Sequence, residues 1–221
     1  MSSPPLRHSL GGEGMRVHAV TMDGQKREQQ LEQWYEVSRI VDYLHLRFPK
    51  KHAADVYDLL CELIDKGVDR EKLIVHDRLD GSVLLDLPNV QLGFRSPPVA
   101  AVRRKFPAIA IGVSVHAVSE AMQAAQDGAN YVIFGHVFET RSKAGKPPRG
   151  LPQLEEVVQA VPIPVIAIGG IHESRVAAVA QAGAHGIAVQ SGIFAAADPL
   201  KAAVAYKRAA SRDISRDTIF H

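Results

Sequence analysis

The feature that most constrains the fold is an alternation that recurs eight times. Short apolar segments rich in β-branched residues alternate with helix-like amphipathic segments along the 221 residues. The apolar segments show little polar alternation, which is typical of strands buried on both faces. The predicted strands are Val17–Thr21, Tyr43–Arg47, Lys72–Val75, Val90–Leu92, Ile109–Val113, Tyr131–Phe134, Val165–Ile168 and Gly186–Val189. The predicted helices are Glu28–Ile40, Ala53–Lys66, a short one around Leu79–Asp86, Pro98–Lys105, Val118–Asp127, Leu151–Val161, Ser174–Ala182 and Pro199–Ala210.

This alternation predicts a parallel sheet, because each crossover between parallel strands needs a covering helix. A closed barrel and an open doubly wound sheet both satisfy the pattern. Eight units in a chain of this length favour a single-domain α/β fold, the (β/α)₈ TIM barrel. We expect the barrel to span residues 15–212, between a flexible Ser-, Pro- and Gly-rich N-terminal tail (1–14) and a C-terminal tail (213–221).

The charge pattern argues against two classes of partner. The 26 basic and 24 acidic side chains leave a net charge of only +2, and no basic block indicates a nucleic-acid groove. No apolar stretch approaches the ~20 residues of a membrane span, and the first residues lack the apolar centre of a signal peptide. We therefore expect a cytoplasmic protein with a small-molecule partner, no nucleic acid and no membrane. The sequence is compatible with a homo-oligomer.

The ends of the last two predicted strands are rich in glycine. Gly169 and Gly170 follow strand seven, and Ser191 and Gly192 follow strand eight. In a barrel these positions lie on the ligand-binding face, where glycine lets backbone N–H groups approach a phosphate. A helix beginning after Gln190 would add its positive dipole end. The alternative is that the glycines only permit tight turns, but two such ends together favour a phosphate site.

The other strand ends supply polar candidates for the same face. They are Arg47, His76 with Asp77, Gln91, Ser114, His116 and His136. A histidine at the barrel mouth is mostly neutral at pH 7 and available as a base, although a structural or surface role for any of them stays open. The polar loop Glu139–Gly150, with Thr140 and several cations, is either a functional lid or a solvated basic loop. No Cys/His cluster predicts zinc, Asp77 lacks a second carboxylate for Mg²⁺, and no cofactor is expected.

Six segments together resemble the thiamine phosphate synthase superfamily. They read IVHDRLD, VQLG, IGVSVH, YVIFGHVFET, PVIAIGGI and AGAHGIAVQSGIF, and the resemblance covers about residues 17–206. Within this superfamily the chain is most similar to the thiazole tautomerase (TenI) branch, through GHVFET and SVH.

The resemblance implies a cofactor-independent isomerase of thiamine biosynthesis. Its substrate would be a thiazole phosphate that carries a carboxylate and one exocyclic double bond, made aromatic by general acid–base proton transfer. The implied catalytic residues are His136 and His116. The implied substrate contacts are Arg47, Gln91, Ser114 and Thr140, and the implied phosphate contacts are Gly169, Gly170, Ser191 and Gly192.

Departures from the synthase favour the tautomerase at this point. The synthase carries Q-x-R-x-K after strand two, whereas this chain has His45, Arg47 and Pro49, so the lysine is missing. The synthase carries a metal-binding aspartate after strand four, where this chain has Gly93–Ser96. Two alternatives stay open: a Mg²⁺-dependent thiamine phosphate synthase, and a non-catalytic regulatory protein that binds a thiazole phosphate.

Overall fold

Eight parallel strands close into a barrel in chain order. The computed structural model describes residues 14–22 and 27–211. Each strand pairs with the next, and the last pairs with the first. The predicted TIM barrel is therefore confirmed. The strands are β1 Arg16–Val20, β2 Tyr43–Leu46, β3 Leu73–His76, β4 Asn89–Leu92, β5 Ala110–Val115, β6 Tyr131–Gly135, β7 Val165–Ile168 and β8 Gly186–Val189.

Helices cover the outside of the barrel. They are α1 Arg27–Ile40, α2 Ala53–Asp65, α3 Leu79–Leu84, α4 Val99–Lys105, α5 Val118–Gln126, α6 Gly150–Ala160, α7 Val176–Gln181, α8 Ser191–Phe194 and α9 Pro199–Ala210. Most predicted bounds differ from these by one or two residues. No bound is displaced by more than two residues; α7 begins at Val176 and not at Ser174, because Glu173–Arg175 forms a 3₁₀ turn before the helix. The predicted tails lie outside the described residues, apart from Gly14.

Within the described ranges, no helix combines the length and apolarity needed to cross a membrane.

The apolar residues form two main layers. A large cluster lies between the strands and the surrounding helices and includes Trp34, Leu60 and Phe134. A smaller cluster includes Val20, Ile74, Tyr131 and Ile133. Because alternate residues of a strand face opposite sides, the positions two residues beyond Ile74 and Tyr131 share their face of the sheet.

At the amino-terminal end of the barrel, Asp42 connects several elements. Its carboxylate accepts hydrogen bonds from the backbone N–H of Val17 (2.7 Å) and from Lys207 Nζ of α9 (2.7 Å). Arg16 Nη1 adds a third contact at 3.3 Å. Burial raises the pKa of Asp42, but the bonds from Lys207 and Val17 outweigh it and hold the pKa below its usual value. Asp42 thus ties β1 and α9 to the start of β2.

Candidate functional site

The carboxyl ends of the strands gather most of the predicted polar residues. His76 and Gln91 are partners in the β3–β4 register, so they lie at the same level of the barrel. Gln91 is buried, Arg47 and Ser114 are exposed, and His76 is intermediate. A buried polar floor therefore rises to an exposed polar rim at this end, which we call the mouth.

A directed hydrogen-bond chain forms part of that floor. The Tyr131 hydroxyl donates to Gln91 Oε1 (2.9 Å), and Gln91 Nε2 donates to Ser114 Oγ (3.0 Å). Burial raises the pKa of Tyr131 well above its usual value, so the hydroxyl stays a donor. Since Ser114 accepts from Gln91, its own hydroxyl proton is available to a ligand.

Gly112 makes room for this chain. A Cβ atom at that position would lie 2.1 Å from Tyr131 Cζ and 2.3 Å from Gln91 Oε1. No other residue leaves space there, because real Cβ contacts are longer than these distances. The glycine therefore has a packing function inside the barrel.

Backbone carbonyls fix the tautomers of the two histidines that the resemblance marked. His116 Nδ1 donates to the Gly135 carbonyl oxygen at 2.6 Å, since a carbonyl can only accept. His136 Nε2 is 3.3 Å from the Lys146 carbonyl oxygen, which sets its proton on Nε2 by the same argument. In their neutral forms, Nε2 of His116 and Nδ1 of His136 are then the acceptor nitrogens. His136 is 8% exposed, whereas His116 is an exposed residue.

The glycine turn after β7 is held through its carbonyl groups. The N–H groups of Val137 and Phe138 donate to the carbonyls of Ile168 (2.9 Å) and Gly169 (3.0 Å). Arg175 Nη1 donates to the Gly170 carbonyl at 2.8 Å while its guanidinium stacks on the Phe138 ring.

The last helix completes this turn from outside the barrel. The Tyr206 hydroxyl of α9 donates to the Ile171 carbonyl at 2.9 Å, and burial raises the pKa of Tyr206 to about 12. A Cβ on Gly192 would lie 2.3 Å from that hydroxyl, so glycine there serves the packing of Tyr206. The sequence suggested another role for Gly192, a direct approach of its backbone to phosphate. The packing of Tyr206 does not use the backbone N–H of Gly192, so both roles are compatible.

The backbone N–H groups at these two strand ends are available to a ligand. Within the described part of the chain, those of Gly170, Ser191 and Gly192 make no backbone hydrogen bond. Ser191 begins α8, whose N-cap residue Gln190 makes no side-chain cap bond. Instead, Gln190 Nε2 donates to the Thr21 carbonyl at 3.0 Å and joins this end to β1.

The polar loop after β6 lies against the glycine turn. A Cβ at Gly170, which has a φ of +64°, would lie 2.3 Å from the Glu139 carbonyl oxygen. The loop lines a cavity of about 650 Å³ whose residues include Thr140, Arg141, Lys143 and Lys146. The loop that carries these cations therefore contacts the glycine turn through the backbone of Glu139.

The described residues do not form a protein-ligated Mg²⁺ site. Asp77 Oδ1 already accepts from Ser96 Oγ at 2.6 Å, and Arg95 lies 4.0 Å from the other carboxylate oxygen. Across residues 14–22 and 27–211, no group of three or more His, Cys, Asp or Glu side chains is arranged to hold a metal ion. A hydroxyl and a guanidinium group thus already contact the Asp77 carboxylate, and waters and substrate phosphates would have to supply most ligands of a Mg²⁺ ion there.

A line of three histidines was not predicted from the sequence. His18 Nδ1 lies 2.8 Å from His45 Nε2, and His45 Nδ1 lies 2.9 Å from His76 Nε2. Only His76 was singled out, because it follows a strand. His18 and His45 are mid-strand residues, and the signal that could have found them is a polar residue inside an apolar strand.

The comparisons with known proteins show the family of the chain. The family described as thiamine monophosphate synthase matches residues 17–193. The thiamine-phosphate synthase of Chloroflexus aurantiacus is 37% identical over 195 residues, 85% of this chain and 89% of that protein. That of Roseiflexus castenholzii is 48% identical over 130 residues, 58% of this chain and 57% of that protein, so this match spans little more than half of the relative. A solved thiamine phosphate pyrophosphorylase from Pyrococcus furiosus superposes with a TM-score of 0.78 at 28% identity, over 89% of this chain and 95% of that one.

These relatives overturn the expected activity. The prediction of a thiazole tautomerase, an isomerase, is wrong, because the relatives are named thiamine-phosphate synthases, which are transferases. The prediction gave too much weight to the missing lysine at Pro49 and the missing aspartate at Gly93–Ser96. Two local departures do not outweigh similarity that extends over most of the barrel.

Proposed function

Because the chain belongs to the thiamine monophosphate synthase family, we propose that it is a transferase that makes thiamine phosphate. The donor is a pyrimidine with a pyrophosphate group on its exocyclic methylene carbon, and the acceptor is a thiazole phosphate. A C–N bond forms between that carbon and the thiazole nitrogen. The C–O bond to pyrophosphate breaks, and its electron pair leaves with the pyrophosphate.

The observation that supports this proposal is the contact between the glycine turn after β7 and the backbone of the cationic loop after β6. The reaction needs one position for the acceptor phosphate and one for the leaving pyrophosphate. The free N–H groups of Gly170, Ser191 and Gly192 suit the single phosphate. The adjoining loop with Arg141, Lys143 and Lys146 suits the pyrophosphate, whose charge grows as the C–O bond breaks.

The remaining polar groups at the mouth suit the two heterocycles. Ser114 presents a hydroxyl proton, and the acceptor nitrogens of His116 and His136 complement ligand donors. We assign Arg47 to an anionic or acceptor group, since guanidinium is always charged and can bind in a bidentate manner. Thr140, whose Oγ1 lies 3.4 Å from Ser142 Oγ, belongs with the pyrophosphate loop.

The proposal includes no step through a metal ion. Among the residues singled out at the mouth, Asp77 is the carboxylate, and its Oδ1 accepts a hydrogen bond from Ser96. The charge that develops on pyrophosphate is assigned here to the cations of the loop after β6.

The experiment is a direct synthesis assay with the full chain. The protein is incubated with the pyrimidine pyrophosphate and the thiazole phosphate, in parallel with Mg²⁺ and with EDTA, and thiamine phosphate and pyrophosphate are quantified. We expect both products in equal amounts. Absence of thiamine phosphate under both conditions would overturn the proposal.

Matched lysine variants locate the pyrophosphate surface. Lys143→Ala should raise KM for the pyrimidine substrate and lower kcat by about tenfold or more, because a cation beside the leaving group is lost. Lys105→Ala, an exposed residue of α4, should leave both constants unchanged. Equal effects of the two substitutions would remove the loop from the assignment.

A further inference from the structure

The side chains of His18, His45 and His76 form a diagonal line across β1, β2 and β3 toward the mouth. His45 pairs with Val20 in the β1–β2 register, two residues beyond His18. His45 also pairs with Ile74 in the β2–β3 register, and His76 lies two residues beyond Ile74. Residues two apart share a face, so each histidine stands one same-face position nearer the carboxyl ends than the one before.

All three rings are neutral near pH 7. Burial lowers the pKa of His18 to about 3 and holds the pKa of His45 well below its ordinary value. Burial, with the charge of Arg47 adding to it and that of Asp77 opposing it, lowers the pKa of His76 to about 4. A neutral imidazole has one N–H donor and one bare acceptor nitrogen.

The two contacts therefore allow only two proton arrangements. Each N···N contact needs one proton, because two N–H groups or two bare nitrogens cannot bond to each other. If His18 carries its proton on Nδ1, then His45 and His76 must carry theirs on Nδ1 as well. If His76 carries its proton on Nε2, the other two must do the same. His76 Nδ1 is thus a donor in the first arrangement and an acceptor in the second.

We propose that His18 and His45 are positioning residues that set the tautomer of His76, so that the three rings change tautomer together when a ligand binds at the mouth. From the first arrangement to the second, one proton crosses each N···N contact, the Nδ1 proton of His76 passes to water at the mouth, and His18 Nε2 takes up a proton from water. A ligand group that accepts a hydrogen bond from Nδ1 selects the first arrangement, and one that donates selects the second. Both arrangements keep the three rings neutral. A charge inside the barrel would be unfavourable, because burial of an unpaired charge costs free energy.

This device suits a nitrogen heterocycle that has donor and acceptor groups side by side. An aminopyrimidine has ring-nitrogen acceptors beside an amino donor, so a neutral His76 can pair with either kind of group. The ligand class rests on the proposed function, whereas the coupling of the three rings rests on the two measured contacts alone.

The first test needs only the wild-type protein. Ring-¹⁵N-labelled protein is studied by long-range ¹H–¹⁵N NMR, which identifies the protonated nitrogen of each histidine. We expect His18, His45 and His76 to be neutral and protonated on the same-named nitrogen. Mixed tautomers among the three rings, or a charged ring at pH 7, would overturn the coupling.

Ligand addition then tests the switch. Titration with the pyrimidine pyrophosphate should change the ¹⁵N signals of all three rings in proportion. A change confined to His76, or binding without any change in these rings, would overturn the proposal. If the protein makes no thiamine phosphate but its three histidines show coupled tautomers, the proposed function fails and the coupling stands. The two failures are therefore distinguishable.

A variant separates positioning from simple packing. His45→Gln keeps a polar side chain but cannot pass a proton between its two ends, so His18 should no longer respond to the ligand. We expect kcat/KM to fall about tenfold, the effect of one misdirected hydrogen bond. His52→Gln, at an exposed position before α2, should change neither readout. If His45→Gln does not fold, the wild-type spectra still decide the question.

Discussion

Tyr131 and Gln91 are joined across the barrel by a 2.9 Å hydrogen bond from the Tyr131 hydroxyl to Gln91 Oε1. The two residues are on β6 and β4, and β5 between them contributes Gly112, which makes the approach possible. The bond decides which end of the Gln91 amide points at Ser114, and hence whether Ser114 offers a proton to a ligand.

Loss of the tyrosine hydroxyl should therefore affect both stability and binding. Tyr131→Phe leaves the buried Gln91 Oε1 without its donor, which we expect to lower the free energy of unfolding by about 1–3 kcal/mol. The affinity for the thiazole phosphate should fall as well, because the Gln91 amide is no longer oriented. Urea denaturation and calorimetric titration measure the two effects. Tyr57→Phe, on the exposed side of α2, is the control, and an equal effect there would contradict the argument.

Gly112 should tolerate no side chain. Gly112→Ala places a methyl group where Tyr131 and Gln91 already lie, and we expect a loss of about 1–3 kcal/mol in unfolding free energy. In a double-mutant cycle with Tyr131→Leu the losses should be less than additive, since leucine lacks the colliding atoms. Strict additivity would mean that the two residues do not share this space.

Acid should destabilise the fold through the three hydrogen-bonded histidines His18, His45 and His76. Their folded pKa values lie below the ordinary 6.5, so the unfolded chain binds more protons than the folded chain below that pH. The contribution of these histidines to stability is therefore complete above about pH 6.5 and falls as the pH drops toward 4, by up to about 1.4 kcal/mol per pH unit for a histidine such as His18 that stays neutral in the folded chain. Urea denaturation across this range checks the slope. His18→Gln should lower the slope of unfolding free energy against pH by the contribution of one histidine. An unchanged slope would show that His18 is not one of the groups that titrate.

The contacts of Asp42 with Val17, Arg16 and Lys207 should contribute substantially to the free energy of unfolding. Asp42→Asn removes the charge that faces Lys207 and Arg16, and we expect a loss of about 1.5–3 kcal/mol in unfolding free energy, the value of hydrogen bonds to charged groups. Asp65→Asn, at the exposed end of α2, should stay within about 0.5 kcal/mol of wild type. Denaturant unfolding of both variants measures these differences. An Asp42→Asn variant as stable as the wild type would contradict this role of Asp42.

The fold was predictable because each strand and most helices have a recognisable pattern in the local sequence. Eight apolar runs separated by helical patterns fix the number and order of elements, and strand ends such as Ser114 and His136 fall on one face by topology alone. Side-chain partners were less accessible. The pairing of His18 with His45, or of Tyr131 with Gln91, depends on barrel register, which no short stretch of sequence encodes.

The chemistry was predicted only in its outline. The glycine ends and the loop after β6 indicated phosphate binding, but the choice of isomerase over transferase rested on the motifs GHVFET and SVH and on absent residues at Pro49 and Gly93–Ser96. Such absences say little when neighbouring elements supply other charges. Here Arg95 lies near Asp77, and the loop cations Arg141, Lys143 and Lys146 line the adjoining cavity.

The bond from Tyr206 to the Ile171 carbonyl has a consequence for synthesis of the protein in the cell. A nascent chain that has emerged only as far as β8 already contains every strand, yet it lacks the hydroxyl that secures the turn at Gly170 and Ile171. Tight retention of a phosphorylated ligand should therefore begin only after α9 has left the ribosome and docked. On the proposed function, the phosphorylated substrate can therefore help the new barrel to fold only after α9 has been synthesised.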